Sequence, residues 1–135
     1  MTQGEKELLL KDLCSRLPYN PMVEYKGETY NVLGITRGRL VLCKPFMSYT
    51  HDEHPPIEEV KLHLFSMSSM TEEQKEEFVD IGIREDLKYI EEPYKNEIRF
   101  SSESLQIDWL NKNHFDYRGL IGKCLAIDAT NKNIY

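Results

Sequence analysis

No stretch of this chain is apolar for more than a few residues, and Leu8-Leu9-Leu10 is typical. A membrane-crossing helix needs about 20 apolar residues in a row, so none is expected. The opening Met1-Thr-Gln-Gly-Glu-Lys-Glu is charged and has no long apolar segment behind it, which excludes a secretory signal and predicts a cytoplasmic protein. Cysteine is scarce: Cys14, Cys43 and Cys124 are far apart and odd in number. No pair has metal-ligand spacing and no nucleophile motif surrounds any of them, so they read as reduced thiols, two or three of them buried. Neither of the glycine-rich phosphate-binding patterns occurs. There is no internal repeat and no low-complexity region. A basic stripe is also missing, which argues against a nucleic-acid partner.

What is present suits one compact domain, residues 1–135, long enough to bury a core without a metal or disulfide. The net charge of −6 is unevenly spread. Residues 1–50 carry seven basic and five acidic residues, whereas 71–97 carry ten acids against four bases. That acidic run reads as a solvated helix face, or as a surface for a basic partner.

Residues 2–17 form a predicted helix. Thr2 and Glu5 can make a capping box. Leu9, Leu10, Leu13, Cys14 and Leu17 recur at three- and four-residue spacing, and Pro18 and Pro21 stop the helix. The pattern then changes to period two. Met22–Lys26, Thr29–Ile35, Arg39–Lys44 and Ile57–Phe65 read as antiparallel strands within 22–65, with Gly27, Gly34 and Gly38 as turn glycines. In the last strand Val60, Leu62 and Leu64 alternate with Lys61, His63 and Phe65. A second helix is expected over 69–82, with Thr71 and Gln74 as its capping box and Gly82 as its end. Leu87, Ile90 and Tyr94 keep helical spacing until Pro93 interrupts it, and Glu97–Phe100 has the composition of a short strand. A third helix spans 101–114, and 119–127 reads as a strand or extended tail.

The candidate chemistry is thin. His51 and His54 are proper metal ligands, with His63 or Asp116 as a possible third. Their spacing does not suit one helix face, and Pro55-Pro56 places them in a loop, so the segment reads first as an exposed polar loop. His114 and Asp116 could form a general base with its orienting carboxylate. Ser101, Ser102 and Ser104 lack the strand–turn–helix elbow of a nucleophile. The plainer reading makes His114 a helix terminator, cationic at the negative end of the dipole, and gives Asp116 to Arg118 or to the turn backbone. Asp116, Tyr117 and Arg118 form a candidate ligand site, since a guanidinium fork can hold a phosphate or carboxylate. The plainer reading gives Arg118 a structural salt bridge to the acid-rich second half. Trp109, with Leu105 and Leu110, reads as core. Tyr25, Tyr30 and Tyr49 could make a stacking platform for nucleic acid.

Three stretches together resemble a family of small proteins of gut Bacteroidales and their prophages. They are Glu-Lys-Glu-Leu-Leu-Leu-Lys-Asp-Leu-Cys-Ser-Arg-Leu-Pro-Tyr (5–19), Met-Ser-Ser-Met-Thr-Glu-Glu (67–73), and Trp-Leu-Asn-Lys-Asn-His-Phe-Asp-Tyr-Arg-Gly-Leu-Ile with Leu-Ala-Ile (109–127). The strand Lys-Leu-His-Leu-Phe before Met67 departs from the Lys-Pro-Tyr-Leu-Arg-Pro type of that family. The resemblance carries no activity and implies a cytoplasmic accessory protein of bacterial or prophage origin.

The expected fold is α+β: a small bent antiparallel sheet of the SH3-like partial-barrel kind, an N-terminal helix and two further helices. The expected function is a non-enzymatic binding or protein-interaction module with a protein partner, no membrane and no cofactor. The alternatives are a small metal-assisted hydrolase or nuclease using His114 and Asp116, and a nucleic-acid-associated module on the tyrosine-bearing sheet.

Overall fold

A computed structural model of the chain describes residues 1–45, 53–91 and 102–135, with 85–91 as backbone alone. The first helix, α1 (Gln3–Arg16), starts on the expected capping box. The Glu5 amide donates to Thr2 Oγ1 at 3.1 Å and the Thr2 amide to the Glu5 carboxylate at 2.8 Å. A 3₁₀ turn containing Pro18 ends it.

The strands β1 (Met22–Tyr25), β2 (Glu28–Thr36) and β3 (Arg39–Cys43) form an antiparallel meander. Its turns are Lys26-Gly27 and Arg37-Gly38, with φ of 51°, 76°, 53° and 75°. Positive φ at both central residues is what a tight hairpin with native twist requires. Gly34 is not in a turn; the register shifts between Val32 and Gly34, so it serves a bulge. The edge of β3 is covered by the segment after the loop, because the Leu40 and Leu42 amides donate to Pro55 O and Glu53 O.

Strand β4 (Lys61–Ser66) pairs antiparallel with β1. The sheet is not purely antiparallel. Two short strands, β5 (Phe115–Asp116) and β6 (Ala126–Asp128), both pair with β4 in parallel. Sequence period could not reveal them, since strands of two and three residues are too short to show one. The result is an open mixed sheet of six strands in an α+β fold.

The main core joins Leu9 and Leu13 of α1 to Val23, Leu40, Leu42, Leu62 and Leu64 of the sheet, each fully buried. Burying one such side chain is worth about 1.5–3 kcal/mol. A second cluster holds Met70, Trp109, Leu110 and Phe115. It sits between the sheet and two helices, α2 (Glu72–Glu91) and α3 (Ser102–Lys112). The Thr71–Gln74 capping box before α2 is present. Gly82 does not end α2. A Cβ there would lie 2.8 Å from Gln106 Nε2, which itself donates to Phe78 O. Glycine costs a helix about 0.5–1 kcal/mol relative to alanine, and here it leaves room for the Gln106 side chain of α3. The expected break at Pro93 and strand at Glu97–Phe100 lie outside the described residues.

Other expectations need correction. Cys14 and Cys124 are exposed and only Cys43 is buried. Residues 117–125 are a chain of turns that buries Leu120 and Leu125, and the tail becomes a strand only at Ala126. His63 is buried rather than solvent-facing, and the Tyr135 hydroxyl donates to its carbonyl. No helix among the described residues is long and apolar enough to cross a membrane.

Candidate functional site

The polar residues singled out near the C-terminus converge with two residues of α1. Asp12 and Arg16 stand one turn apart, and both are fully buried. At 3.6 residues per turn, Leu9, Asp12, Leu13 and Arg16 share a sector of roughly 100°. The buried face of α1 is therefore rotated away from the stripe that apolar residues alone suggest, and this leaves Cys14 in solvent.

Asp12 Oδ2 accepts from Arg16 Nε at 2.8 Å. Its Oδ1 accepts from Arg16 Nη2 and from Arg118 Nη1, each at 3.1 Å. Arg16 Nη2 also donates to Phe115 O at 2.7 Å. One carboxylate thus lies against two guanidiniums. Both guanidinium carbons lie near the Tyr117 ring, at 5.3 Å for Arg16 and 4.8 Å for Arg118. The Tyr117 hydroxyl donates to Asn111 Oδ1 at 2.9 Å. The second terminal nitrogen of Arg118 reaches Ser15 Oγ at 3.4 Å. Among the described residues Arg118 pairs with Asp12 in the first half of the chain, and not with the acidic second half.

Asp116 has a different task. Its two oxygens accept the amides of Leu120 and Ile121 at 2.8 and 2.9 Å. It caps the turn beyond it and is not bonded to His114. His114 sits at φ 62°, the left-handed position that ends α3. Its Nδ1 is enclosed without a hydrogen-bond partner. The ring stacks on Tyr135, centroids 3.5 Å apart and planes 10° apart. Burial, and then the positive charge of Arg16, lower its pKa to about 4. His114 therefore terminates the helix as a neutral ring, because desolvation outweighs the helix dipole here.

Tyr135 closes this corner from the other side. One step beyond the Val23–Leu62 pair the β1–β4 ladder opens. There the Tyr135 hydroxyl accepts from the Met22 amide at 2.9 Å and donates to His63 O at 2.8 Å. Its ring edge is in solvent, but the hydroxyl is wedged between strands, and burial pushes its pKa up to about 12. Neither nitrogen of His63 has a partner, and burial lowers its pKa too.

Chemically, Asp12 is held by Arg16 and Arg118, Asp116 by two backbone amides, Tyr117 by Asn111, and Arg118 by Asp12 and Ser15. A general base needs reach to a substrate and an orienting partner; His114 stacks on Tyr135, its Nδ1 is enclosed, and it makes no bond to Asp116. Grooves among the described residues lie elsewhere, one of them on α2 beside Lys75, Glu76, Val79 and Asp80. Another, of about 370 Å³, runs between α1 at Lys6 and Glu7 and the turn Arg37-Gly38. A further one, of about 520 Å³, lies beside Met22, Asn31 and Ile134. His51 and Tyr49 lie outside the described residues. His54 is exposed, and its carbonyl accepts from Arg39. Among the described residues no group of three or more His, Cys, Asp and Glu could hold a metal ion. Tyr25 and Tyr30 are buried, so their rings offer no exposed stacking platform.

Sequence reasoning missed Asp12 and Arg16. Their signal was an i, i+4 acid–base pair interleaved with buried leucines. The three stretches that carry the resemblance supply Asp12 and Arg16, then Met70, then Trp109 to Arg118, and all meet around this joint. No family model matches the chain, and no curated protein or solved structure matches it either.

Proposed function

We propose that this chain is a non-enzymatic protein-binding module, working in the bacterial or prophage cytoplasm that the resemblance implies. The observation that carries this reading is the two-sidedness of α2. Phe78 and Ile81 pack on the cluster around Trp109. On the other side Val79 is 50% and Ile83 52% exposed. Single exposed aliphatics are ordinary, but these two are one turn apart on the same ridge. A paired apolar ridge left in water is a feature of contact surfaces. The engagement of Asp116 with the turn backbone and of Tyr117 and Arg118 with Asn111, Asp12 and Ser15 supports the same reading, because it commits them to holding the joint.

The test is retention from a bacterial lysate on the immobilised full-length chain. Bound proteins are expected to be lost when Val79→Ser and Ile83→Ser are combined, with the melting temperature unchanged. Equal retention by both forms, or phosphodiester hydrolysis that disappears with Asp116→Asn in a protein of unchanged melting temperature, overturns the reading.

A further inference from the structure

We infer that the outer face of α2 docks a basic amphipathic helix. This rests on the protein-binding reading above and names the chemistry of the partner. Glu72, Glu76, Val79 and Ile83 fall within a sector of roughly 60° at 3.6 residues per turn. The aliphatic pair is thus flanked on its own ridge by carboxylates. Over its whole length α2 carries eight acidic residues against three basic ones. The cations are already engaged where they are described: Lys75 pairs with Glu72 at 3.0 Å, and Arg84 with Asp80 at 3.7 Å. Glu73, Glu76 and Glu77 have no basic partner among the described residues.

Charge decides between occupants. A second copy of this chain would set one acidic ridge against another. Each close pair of like charges would then cost about 1 kcal/mol even in water. An anionic membrane surface or a nucleic acid backbone is repelled in the same way. A helix with leucine-like residues at i and i+4 and lysine or arginine on its flanks meets both features together. Its apolar stripe seats on Val79 and Ile83, as in other helix-on-groove contacts. Its cations reach Glu72, Glu73 and Glu76, which steers the encounter and makes it sensitive to salt. A ridge with two aliphatic anchors is a small interface and belongs with transient contacts.

The experiment titrates the full-length chain with a labelled leucine–lysine peptide of about 18 residues, five helical turns, read by fluorescence anisotropy. The controls are a peptide of the same composition scrambled to break the helical period, and a leucine–glutamate counterpart. The patterned basic peptide is expected to bind at least tenfold more tightly than either control. Affinity should fall about tenfold in the Val79→Ser/Ile83→Ser variant, which corresponds to about 1.4 kcal/mol. Its salt dependence should flatten in Glu72→Gln/Glu76→Gln. Both pairs are exposed, and a melting curve confirms the fold of each variant. Equal binding of patterned and scrambled peptides, or full binding by the serine variant, overturns the inference. Self-association abolished by the serine substitutions overturns it in favour of a second copy. If lysate proteins are retained through Val79 and Ile83 while the basic peptide is refused, the partner class is wrong and the binding-module reading stands. If neither binds, both fall.

Discussion

At the joint between α1 and β5, a carboxylate and a guanidinium closed to water meet a half-buried guanidinium and phenol. On the outer side of α2, two aliphatic side chains stand in water beside Glu76, which has no basic partner among the described residues. The joint holds the residue types that chemistry uses, and it spends them on itself. The helix face holds residue types with no chemistry, and it leaves them uncovered. Reactive-looking side chains are therefore a poor guide here, and the state of their hydrogen bonds is a better one. Most buried polar groups are paired, and among the described residues of the joint only Arg16 Nη1 and His114 Nδ1 are enclosed without a partner.

The largest expected effect strikes the joint. Asp12→Ala removes the shared acceptor and leaves the buried Arg16 charge with only the Phe115 carbonyl, at a cost of about 3–5 kcal/mol. Urea denaturation measures it, and a loss below about 1 kcal/mol would mean that water already reaches the pair. Asp116→Ala comes next. It orphans the amides of Leu120 and Ile121, and losing a buried partner costs about 1–3 kcal/mol. The same midpoint shift reads it, and the loss should be nearly the same in 1 M salt, because backbone amides are the donors.

A third prediction concerns acid. An unfolded histidine takes up its proton near 6.5, whereas His114 in the fold does so at about 4. Between those values the unfolded chain binds more protons, so stability rises with pH and is lost as pH falls. His63 is shifted in the same direction. Denaturation midpoints at pH 7 and pH 4.5 should show this fall, and His114→Asn should make it shallower. Asparagine tolerates the left-handed backbone at that position. The smallest effect belongs to the other region. Val79→Ser with Ile83→Ser should leave stability within about 0.5 kcal/mol per substitution. A larger loss would show that the α2 face is covered within the molecule, and the contrast between the two regions would collapse.

Much of the frame was legible before the fold. The capping boxes at Thr2 and Thr71, the stop after Arg16, the first four strands and the third helix all follow from contacts between near neighbours. Such contacts are written in spacing. The acidic character of α2 was legible for the same reason. Its length was not, since Gly82 ends a helix only where nothing packs on it, and Gln106 does. The candidate site was half legible: Asp116, Tyr117 and Arg118 were located, but their partners were not. Arg118 reaches Asp12 across 106 positions, and no local pattern encodes that distance.

Local rules thus sufficed wherever the deciding interaction spans a few residues: caps, hairpin turns, alternation along strands. Burial is different, because water is excluded only when segments far apart in the chain close over a group. That closure turned Asp12 and Arg16 from an ordinary surface pair into a buried one. It made His114 a neutral ring stacked on Tyr135, and it bound Asp116 to backbone instead of to a histidine. It also left Val79 and Ile83 outside, where the same helical period would have allowed a core.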